Sequence, residues 1–195
     1  MSKNTFFIST VLLSLSISPL SGGEDQGKES EISATMAPRF TLRDINNQSV
    51  SLDSLLGKGP IAIDFWATWC KPCLKELDTM NEIYKKYHER GFEILAINHD
   101  EPRNEAKVKP FVKSRRWKFP VLLDLEGNVR RLYQIKALPA SFILDKEGRI
   151  RFTHQGFKTG DEAKLEEEIV SLLSPLPSED KEEEEKDSGE EEENK

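Results

Sequence analysis

Apolar and polar positions alternate along the middle of the chain with two different periods. Short, nearly continuous apolar runs bounded by turn residues are typical of buried strands, and they occur at 60–67, 92–98 and 119–124. Further on, SFILD and RIRFTHQG flank a Lys-Glu-Gly turn at 146–148, which predicts a β-hairpin. These segments supply the strands of a sheet.

Helical spacing is found between those runs. Leu74, Leu77 and Ile83 give a partial apolar face to the segment 72–90. Gly91 follows this segment and is suited to cap a helix at its C-terminal end. The sequence therefore predicts a long helix directly after the strand at 60–67.

Three further segments have helical patterns. Pro110 lies within 101–116 and should break or restart that helix, because proline lacks an N–H and its ring clashes with the preceding turn. A short helix is expected at 126–135. The last helix is expected to begin at a capping box formed by Thr159 and Glu162.

The order strand, helix, strand, helix, hairpin and final helix predicts an α/β fold. In this fold a central mixed sheet is covered by helices on both faces. The chain of 195 residues is long enough for one such domain with appendages. We expect the domain at 32–175, after a polar linker at 24–31.

The first residues carry the pattern of a secretory signal peptide. Lys3 supplies a positive charge, an apolar stretch follows at 6–20, and small residues precede Glu24. The apolar stretch is short for a membrane span, which needs about twenty residues. A cleaved signal at 1–23 is therefore expected, with a retained anchor at 6–20 as the alternative.

The acidic residues are concentrated at the C-terminal end. Residues 178–195 hold eleven acids and three lysines, a net charge of −8, whereas the whole chain carries −7. Such a run cannot bury apolar surface, so 176–195 is predicted to be a disordered tail. A solubilising role is expected, and binding of cations or of a basic partner is the alternative. The sequence has no basic stripe, so a nucleic-acid ligand is not expected.

The only two cysteines of the chain, Cys70 and Cys73, stand where the strand at 60–67 gives way to a helix. Residues i and i+3 share a helix face, so the two sulfurs can reach bonding distance. The free N–H groups and the positive dipole end of a helix start stabilise a thiolate, Lys71 adds a cation, and Pro72 is tolerated in the first turn. We predict a lowered pKa for the Cys70 thiol, which attacks, and a buried Cys73 that resolves the mixed disulfide.

Two other uses of the cysteines are less favoured. A zinc site needs four ligands, and His88, His99 and His154 show no paired spacing. The sequence indicates no partner for His99 or His154, and we expect both to lie at the surface. A structural disulfide gains from closing a long loop, and a four-residue ring is worth only about 2 kcal/mol. Redox exchange without a metal or other cofactor is therefore the main prediction.

The segment IAIDFWATWCKPC resembles the active-site strand and helix of the thioredoxin superfamily. Residues 37–77 are similar to the opening of its exported TlpA/ResA-like branch, and 119–156 to the closing half. The resemblance covers roughly 37–173. It implies a thioredoxin fold, with a branch-specific insertion near 101–119.

The resemblance also assigns roles near the cysteines. Pro139 matches a proline that the family holds in cis, exposing the backbone of Leu138 to an extended substrate; sequence alone would favour an ordinary trans proline. Asp64 matches the buried acid of thioredoxin beneath the second cysteine, where the exported branch often has an amide. It could accept the proton of Cys73, or only hydrogen-bond within the core.

Four further positions follow from the same resemblance. Glu76 matches an acid that tunes the cysteines in ResA-like proteins, with a solvated helix carboxylate as the alternative. Trp66 and Trp69 are expected to shield the site and contact substrate, although core packing explains at least one of them. Asp78 stands where relatives have a kinking proline, so a straighter helix is expected. Gly156 matches a glycine near the active surface, or is a plain turn glycine.

The implied function is that of a monomeric thiol–disulfide oxidoreductase outside the cytoplasm, in the periplasm of a cell with two membranes. The family's example implies a reductant kept reduced by a membrane electron donor, with apocytochrome c among its protein substrates. One alternative is a thiol peroxidase, which wants a hydroxyl residue where this chain has Ala67. Another alternative is a non-catalytic module that assists assembly of a cytochrome or of a copper site. A copper module would need more cysteines than this chain has.

Overall fold

The computed structural model describes residues 35–173. The predicted signal peptide, the linker and the acidic tail lie outside these residues. Across 35–173, no helix combines the length and apolar character needed to cross a membrane.

One mixed sheet forms the centre of the described domain. Its strands are β1 (Thr41–Asp44), β2 (Ser49–Ser51), β3 (Ile61–Trp66), β4 (Glu93–Asn98), β5 (Val121–Leu123), β6 (Ala140–Leu144) and β7 (Ile150–Gln155). They lie in the order β2-β1-β5-β4-β3-β6-β7. β4 runs parallel to β3 and β5, and the remaining neighbours are antiparallel. The predicted strands and hairpin are confirmed, whereas the β1–β2 hairpin was not foreseen.

Helices cover both faces of the sheet, as the sequence predicts. The helices are α1 (Lys71–Tyr87), α2 (Glu105–Arg115), α3 (Asn128–Leu132) and α4 (Asp161–Leu172), and short 3-10 helices lie at Leu52–Leu55, His88–Arg90 and Pro102–Asn104. One buried apolar cluster takes side chains from α1, α2 and α4, and a second takes them from α3 and the first 3-10 helix. α2 lies within 101–119, the segment where the resemblance implies an insertion.

β3 is buried along its whole length because it lies between these two clusters. Successive side chains of a strand point to opposite faces. Its odd-numbered residues join the cluster beneath α3, and Ala62 and Trp66 join the cluster beneath α1. Asp64 lies between these two and therefore points toward α1, into the layer that contains both cysteines.

The prediction that Pro110 interrupts a helix is wrong. α2 continues through it from Glu105 to Arg115. Proline removes the hydrogen bond to the carbonyl four residues earlier, here that of Ala106. Both residues are exposed, so water can satisfy that carbonyl and the helix continues.

The predicted capping box of α4 is also wrong, because the N-cap residue is Gly160 and not Thr159. Gly160 occupies the N-cap position with φ +102°, and its N–H donates to Glu162 Oε2 at 2.6 Å. Thr159 does not cap the helix, because its hydroxyl accepts a hydrogen bond from Lys75 Nζ of α1 at 2.7 Å. A contact between α1 and the loop before α4 therefore takes the place of the local cap.

The end of α1 depends on Gly91, as expected. α1 passes into the 3-10 helix His88–Arg90, and Gly91 then takes φ +93°. A Cβ at this position would lie 2.4 Å from the carbonyl oxygen of Lys58. Only glycine allows this close approach at a left-handed backbone conformation.

Candidate active site

The cysteine pair lies at the N-terminal end of α1. Cys70 is the N-cap residue, and its Sγ accepts a hydrogen bond from the Cys73 N–H at 3.3 Å. A disulfide joins the two sulfurs, with an S–S distance of 2.01 Å and a Cα–Cα distance of 5.3 Å. Cys70 is 5% exposed and Cys73 is fully buried, as predicted. An external thiol therefore reaches Cys70 before Cys73.

The surface around Cys70 has an aromatic and a basic side. Trp69 is 68% exposed, and Lys71 and Pro72 are also exposed. Trp66, in contrast, is fully buried and packs edge-on against Trp117 with ring centroids 5.1 Å apart. Of the two tryptophans near the cysteines, Trp69 is available to a substrate and Trp66 belongs to the core.

The loop that contains Leu138 and Pro139 lies beside this site. The bond from Leu138 to Pro139 is cis, so the trans alternative is wrong. Leu138 is half-buried and packs against the cluster that contains both cysteines. The N–H of Gly156 donates to the carbonyl oxygen of Pro139 at 2.9 Å, which ties the end of β7 to this loop.

Two carboxyl groups are buried in the layer beneath the cysteines. Asp64 is fully buried, and Glu76, one helical turn after Cys73, is 1% exposed, so the solvated alternative for Glu76 is wrong. The Ser141 hydroxyl donates to Glu76 Oε1 at 2.8 Å. Glu76 Oε2 and both oxygens of Asp64 receive no hydrogen bond from the described protein groups. Three carboxyl oxygens are thus buried without a donor.

Burial is the main cause of pKa shifts in this pair. It raises the pKa of Glu76 to about 7. Burial also raises the pKa of Asp64, and the charge of Glu76 raises it further. Ionised carboxyl oxygens only accept hydrogen bonds, so the two groups can bond to each other only when one carries a proton.

Asp100 was not identified from the sequence, although it holds the active-site loop. Its carboxylate accepts hydrogen bonds from the N–H and the hydroxyl of Thr68, two residues before Cys70. Asn98 Nδ2 also donates to it, at 2.7 Å. The position of Asp100 just after a parallel strand could have indicated this role, because such strand ends meet at one edge of the sheet.

The two histidines for which the sequence indicated no partner, His99 and His154, each have one in the structure. His99 Nε2 lies 2.6 Å from Arg130 Nη1, and burial, followed by the Arg130 charge, lowers the pKa of His99. His154 Nε2 lies 2.6 Å from Oε2 of Glu168, which is itself buried. Both contacts join distant segments, so local sequence could not reveal them.

Asp78 connects α1 to the C-terminal end of α2 and to the segment that follows it. It accepts hydrogen bonds from Arg115 Nη1 at 2.8 Å and from Trp117 Nε1 at 2.9 Å. α1 runs without interruption through this position, where relatives were expected to have proline. Over residues 35–173, no group of histidine, cysteine and acidic side chains is arranged to hold a metal ion.

This arrangement places the chain in the class of thioredoxin-like thiol–disulfide oxidoreductases. Residues 34–153 match the family model described as AhpC/TSA, and the chain belongs to that family. Among curated relatives, it is 40% identical to the thiol-disulfide oxidoreductase ResA of Bacillus thuringiensis subsp. konkukian over 139 residues, 71% of this chain and 77% of the relative.

Two further comparisons agree with this class. The thiol-disulfide oxidoreductase ResA of Bacillus subtilis is 40% identical over 124 residues, 64% of this chain and 68% of the relative. A solved structure of a thiol:disulfide interchange protein of the thioredoxin family from Chlorobium tepidum superposes with a TM-score of 0.64 at 26% identity. That match covers 72% of this chain and 97% of the other.

Proposed function

We propose that this oxidoreductase is a reductant of protein disulfides outside the cytoplasm. The observation that carries the direction is the burial of Asp64 and Glu76 in the layer that contains Cys73. A nearby negative charge disfavours a thiolate. A disfavoured thiolate makes the dithiol less stable relative to the disulfide, and such a pair gives up electrons more readily.

The proposed reaction transfers two electrons to the substrate. The Cys70 thiolate attacks one sulfur of the substrate disulfide, that disulfide breaks, and a mixed disulfide forms. Cys73 then loses its proton and attacks the Cys70 sulfur, which releases the second substrate sulfur as a thiolate. The substrate is reduced to a dithiol and the protein is left with the Cys70–Cys73 disulfide.

The direction is tested by equilibrating the domain with defined ratios of reduced and oxidised glutathione. We expect a reduction potential closer to the value of thioredoxin, about −270 mV, than to that of a strong oxidant, about −120 mV. A potential near the upper value would show that the protein is an oxidant. A parallel assay with hydrogen peroxide should show no turnover, since Ala67 occupies the position where a peroxidase wants a hydroxyl.

Substrates are identified by trapping. In a Cys73→Ser variant the mixed disulfide on Cys70 cannot be resolved, so substrate proteins should remain attached. The Cys70→Ser variant is the matched control and should trap none; if it is the better trap, Cys73 is the nucleophile. We expect disulfide-bearing proteins located outside the cytoplasm among the trapped species, apocytochrome c in its disulfide form included.

The predicted signal peptide supports the proposed location. The pattern at 1–23 is that of a cleaved signal peptide, and a membrane electron donor would then return the protein to its dithiol form. N-terminal sequencing of the protein from the exporting cell should begin at Glu24. A chain that starts at Met1 and fractionates with membranes would instead identify a retained anchor.

A further inference from the structure

Three adjacent strands place a row of polar side chains on one face of the sheet. In the strand registers, Asp64 of β3 lies opposite Ser141 of β6, and Ser141 lies opposite His154 of β7. Residues directly opposite one another project to the same side. The row therefore runs across the sheet, from the layer that contains the buried cysteine to the edge strand.

Two helices add a carboxyl group each to this row. Glu76 of α1 accepts the hydrogen bond from Ser141 at 2.8 Å, and Glu168 of α4 lies 2.6 Å from His154 Nε2. Both carboxyl groups are buried. Buried polar groups are costly unless they are paired, and four of the five residues in this row are buried, so their presence in an apolar layer calls for a physical reason.

A cavity joins the two halves of the row. It has a volume of about 290 Å³, and its lining includes Glu76 and His154. This volume is large enough for several water molecules, which bridge polar groups in such spaces. Proton exchange between the Glu76 carboxyl and the His154 ring is therefore possible without direct contact.

The inner end of the row has the groups to hold a proton. Asp64 and Glu76 face each other with three oxygens that lack a donor, and a single proton between them would supply the missing hydrogen bond. A pair with one proton contains both an acid and a base. It can give a proton to the Cys73 thiolate or accept one from the Cys73 thiol.

We propose that His154 and Glu168 form the outer end of a proton relay that serves Cys73 through Asp64 and Glu76. When an external thiolate attacks Cys70, the Cys70–Cys73 bond breaks and Cys73 leaves as a thiolate. That thiolate takes the proton of the carboxyl pair, and the pair regains a proton from His154 through the cavity. The reverse steps carry the proton outward when Cys73 attacks.

Several other charged groups surround the relay. Asp161 and Lys164 of α4 and Lys158 of the preceding loop line the same cavity. The charge of Asp161 contributes to raising the pKa of Glu76, after burial, and Lys164 Nζ lies 3.7 Å from Glu168 Oε1. These groups set the local field, while the imidazole ring of His154 is the side chain of this set that can both donate and accept a proton through its two nitrogens.

The relay is tested by following reduction of the oxidised domain with excess dithiothreitol, using tryptophan fluorescence in a stopped-flow instrument. We expect His154→Gln to react about tenfold more slowly than wild type at low buffer concentration, and to recover on addition of imidazole, which can enter the cavity. His88→Gln is the matched control. It breaks another histidine–glutamate pair, with Glu93, at the far end of α1, and should react like wild type at every buffer concentration.

The outcomes separate a relay from a structural role. A His154→Gln protein with the wild-type rate at low buffer would overturn the proposal, and so would a slow rate that imidazole does not restore. Near-ultraviolet circular dichroism checks the fold of each variant. If His154→Gln does not fold, Glu168→Gln replaces it, with the same expected dependence on added imidazole. The test measures the rate of thiol–disulfide exchange. It therefore does not depend on the reduction potential, which tests the proposed function separately.

Discussion

The carboxylate of Asp100 holds Thr68 by two hydrogen bonds, from the backbone N–H at 2.9 Å and from the hydroxyl at 2.8 Å. Thr68 belongs to the loop between β3 and α1, and Asp100 follows β4. The bond therefore fixes the loop that carries Cys70 to the neighbouring strand. A contact across 32 residues of sequence positions the nucleophile.

Replacement of Asp100 by alanine should lower the free energy of unfolding by about 3 kcal/mol, because hydrogen bonds to a buried charged group are worth about 1.5–3 kcal/mol each. Thr68→Val removes the hydroxyl bond alone and should cost about half as much. Urea denaturation of the oxidised domain measures both. Asp53→Ala is the control, because Asp53 is an exposed aspartate with one ion pair to Arg39. Equal stabilities of Asp100→Ala and wild type would show that the loop does not depend on this contact.

The parts of the fold that sequence predicts are those set by local pattern. β3 and β4 are recognisable because buried strands need continuous apolar residues, and α1 because its apolar positions follow a helical period. Pro110 and Thr159 misled the prediction for the opposite reason. Solvent exposure of α2 and a contact with Lys75 decided the outcome there, and neither is visible in the local sequence.

The candidate site divides in the same way. Cys70 and Cys73 lie in one short motif, so their positions at the start of a helix could be predicted from their spacing alone. Ser141 and His154 acquire their meaning only from strand register, and Glu168 only from the packing of α4. Register depends on the whole hydrophobic pattern of a sheet, which is why the sequence analysis missed Ser141 and Glu168 and gave His154 no role.

Glu76 should make the stability of the domain depend on pH. Burial raises its pKa from about 4.5 in the unfolded chain to about 7 in the folded protein. Folding therefore favours the protonated form; the associated stability is complete below pH 4.5 and is lost as the pH rises through about 7. The free energy of unfolding should fall by about 3 kcal/mol across this range, at about 1.36 kcal/mol per pKa unit.

A Glu76→Gln variant should lose less stability over that pH range, because glutamine does not titrate. The measurement is urea denaturation of the oxidised protein at several pH values, which keeps cysteine ionisation out of the comparison. Glu82→Gln is the control on the solvent-exposed side of the same helix and should follow the wild-type curve. If the free energy of unfolding depends on pH in the same way in Glu76→Gln and wild type, the raised pKa of Glu76 is contradicted.

Asp64→Asn should make the protein a weaker reductant. Removal of a carboxyl group from the layer beneath Cys73 leaves less negative charge to oppose a thiolate, so the dithiol form gains stability. We expect the equilibrium with glutathione to shift about tenfold toward the dithiol, which corresponds to about 1.4 kcal/mol. Asp53→Asn should leave the equilibrium unchanged, because Asp53 lies in the 3-10 helix that packs on the apolar cluster without the cysteines. A shift toward the disulfide in Asp64→Asn would show that Asp64 stabilises the dithiol form, contrary to this prediction.

Trp69 should determine how well large substrates are used. Its side chain is 68% exposed beside Cys70, and an exposed tryptophan is the residue type that dominates binding at protein interfaces. Trp69→Ala should lower kcat/KM for insulin reduction by about tenfold or more, equivalent to about 1.4 kcal/mol of lost binding to the transition state. Reduction of the domain by dithiothreitol should change little, because this small molecule needs only access to the sulfur.

The matched control for Trp69 is Leu132→Ala. Leu132 is another exposed large apolar side chain, but it lies on α3, on the face of the sheet away from α1. Its replacement tests whether a general loss of apolar surface slows the reaction, and both insulin and dithiothreitol kinetics should remain at wild-type values. If Trp69→Ala lowers the two rates equally, the indole shapes the loop around Cys70 instead of contacting the protein substrate. If neither rate changes, substrates approach Cys70 from another side, and the loop at Leu138 becomes the surface to test.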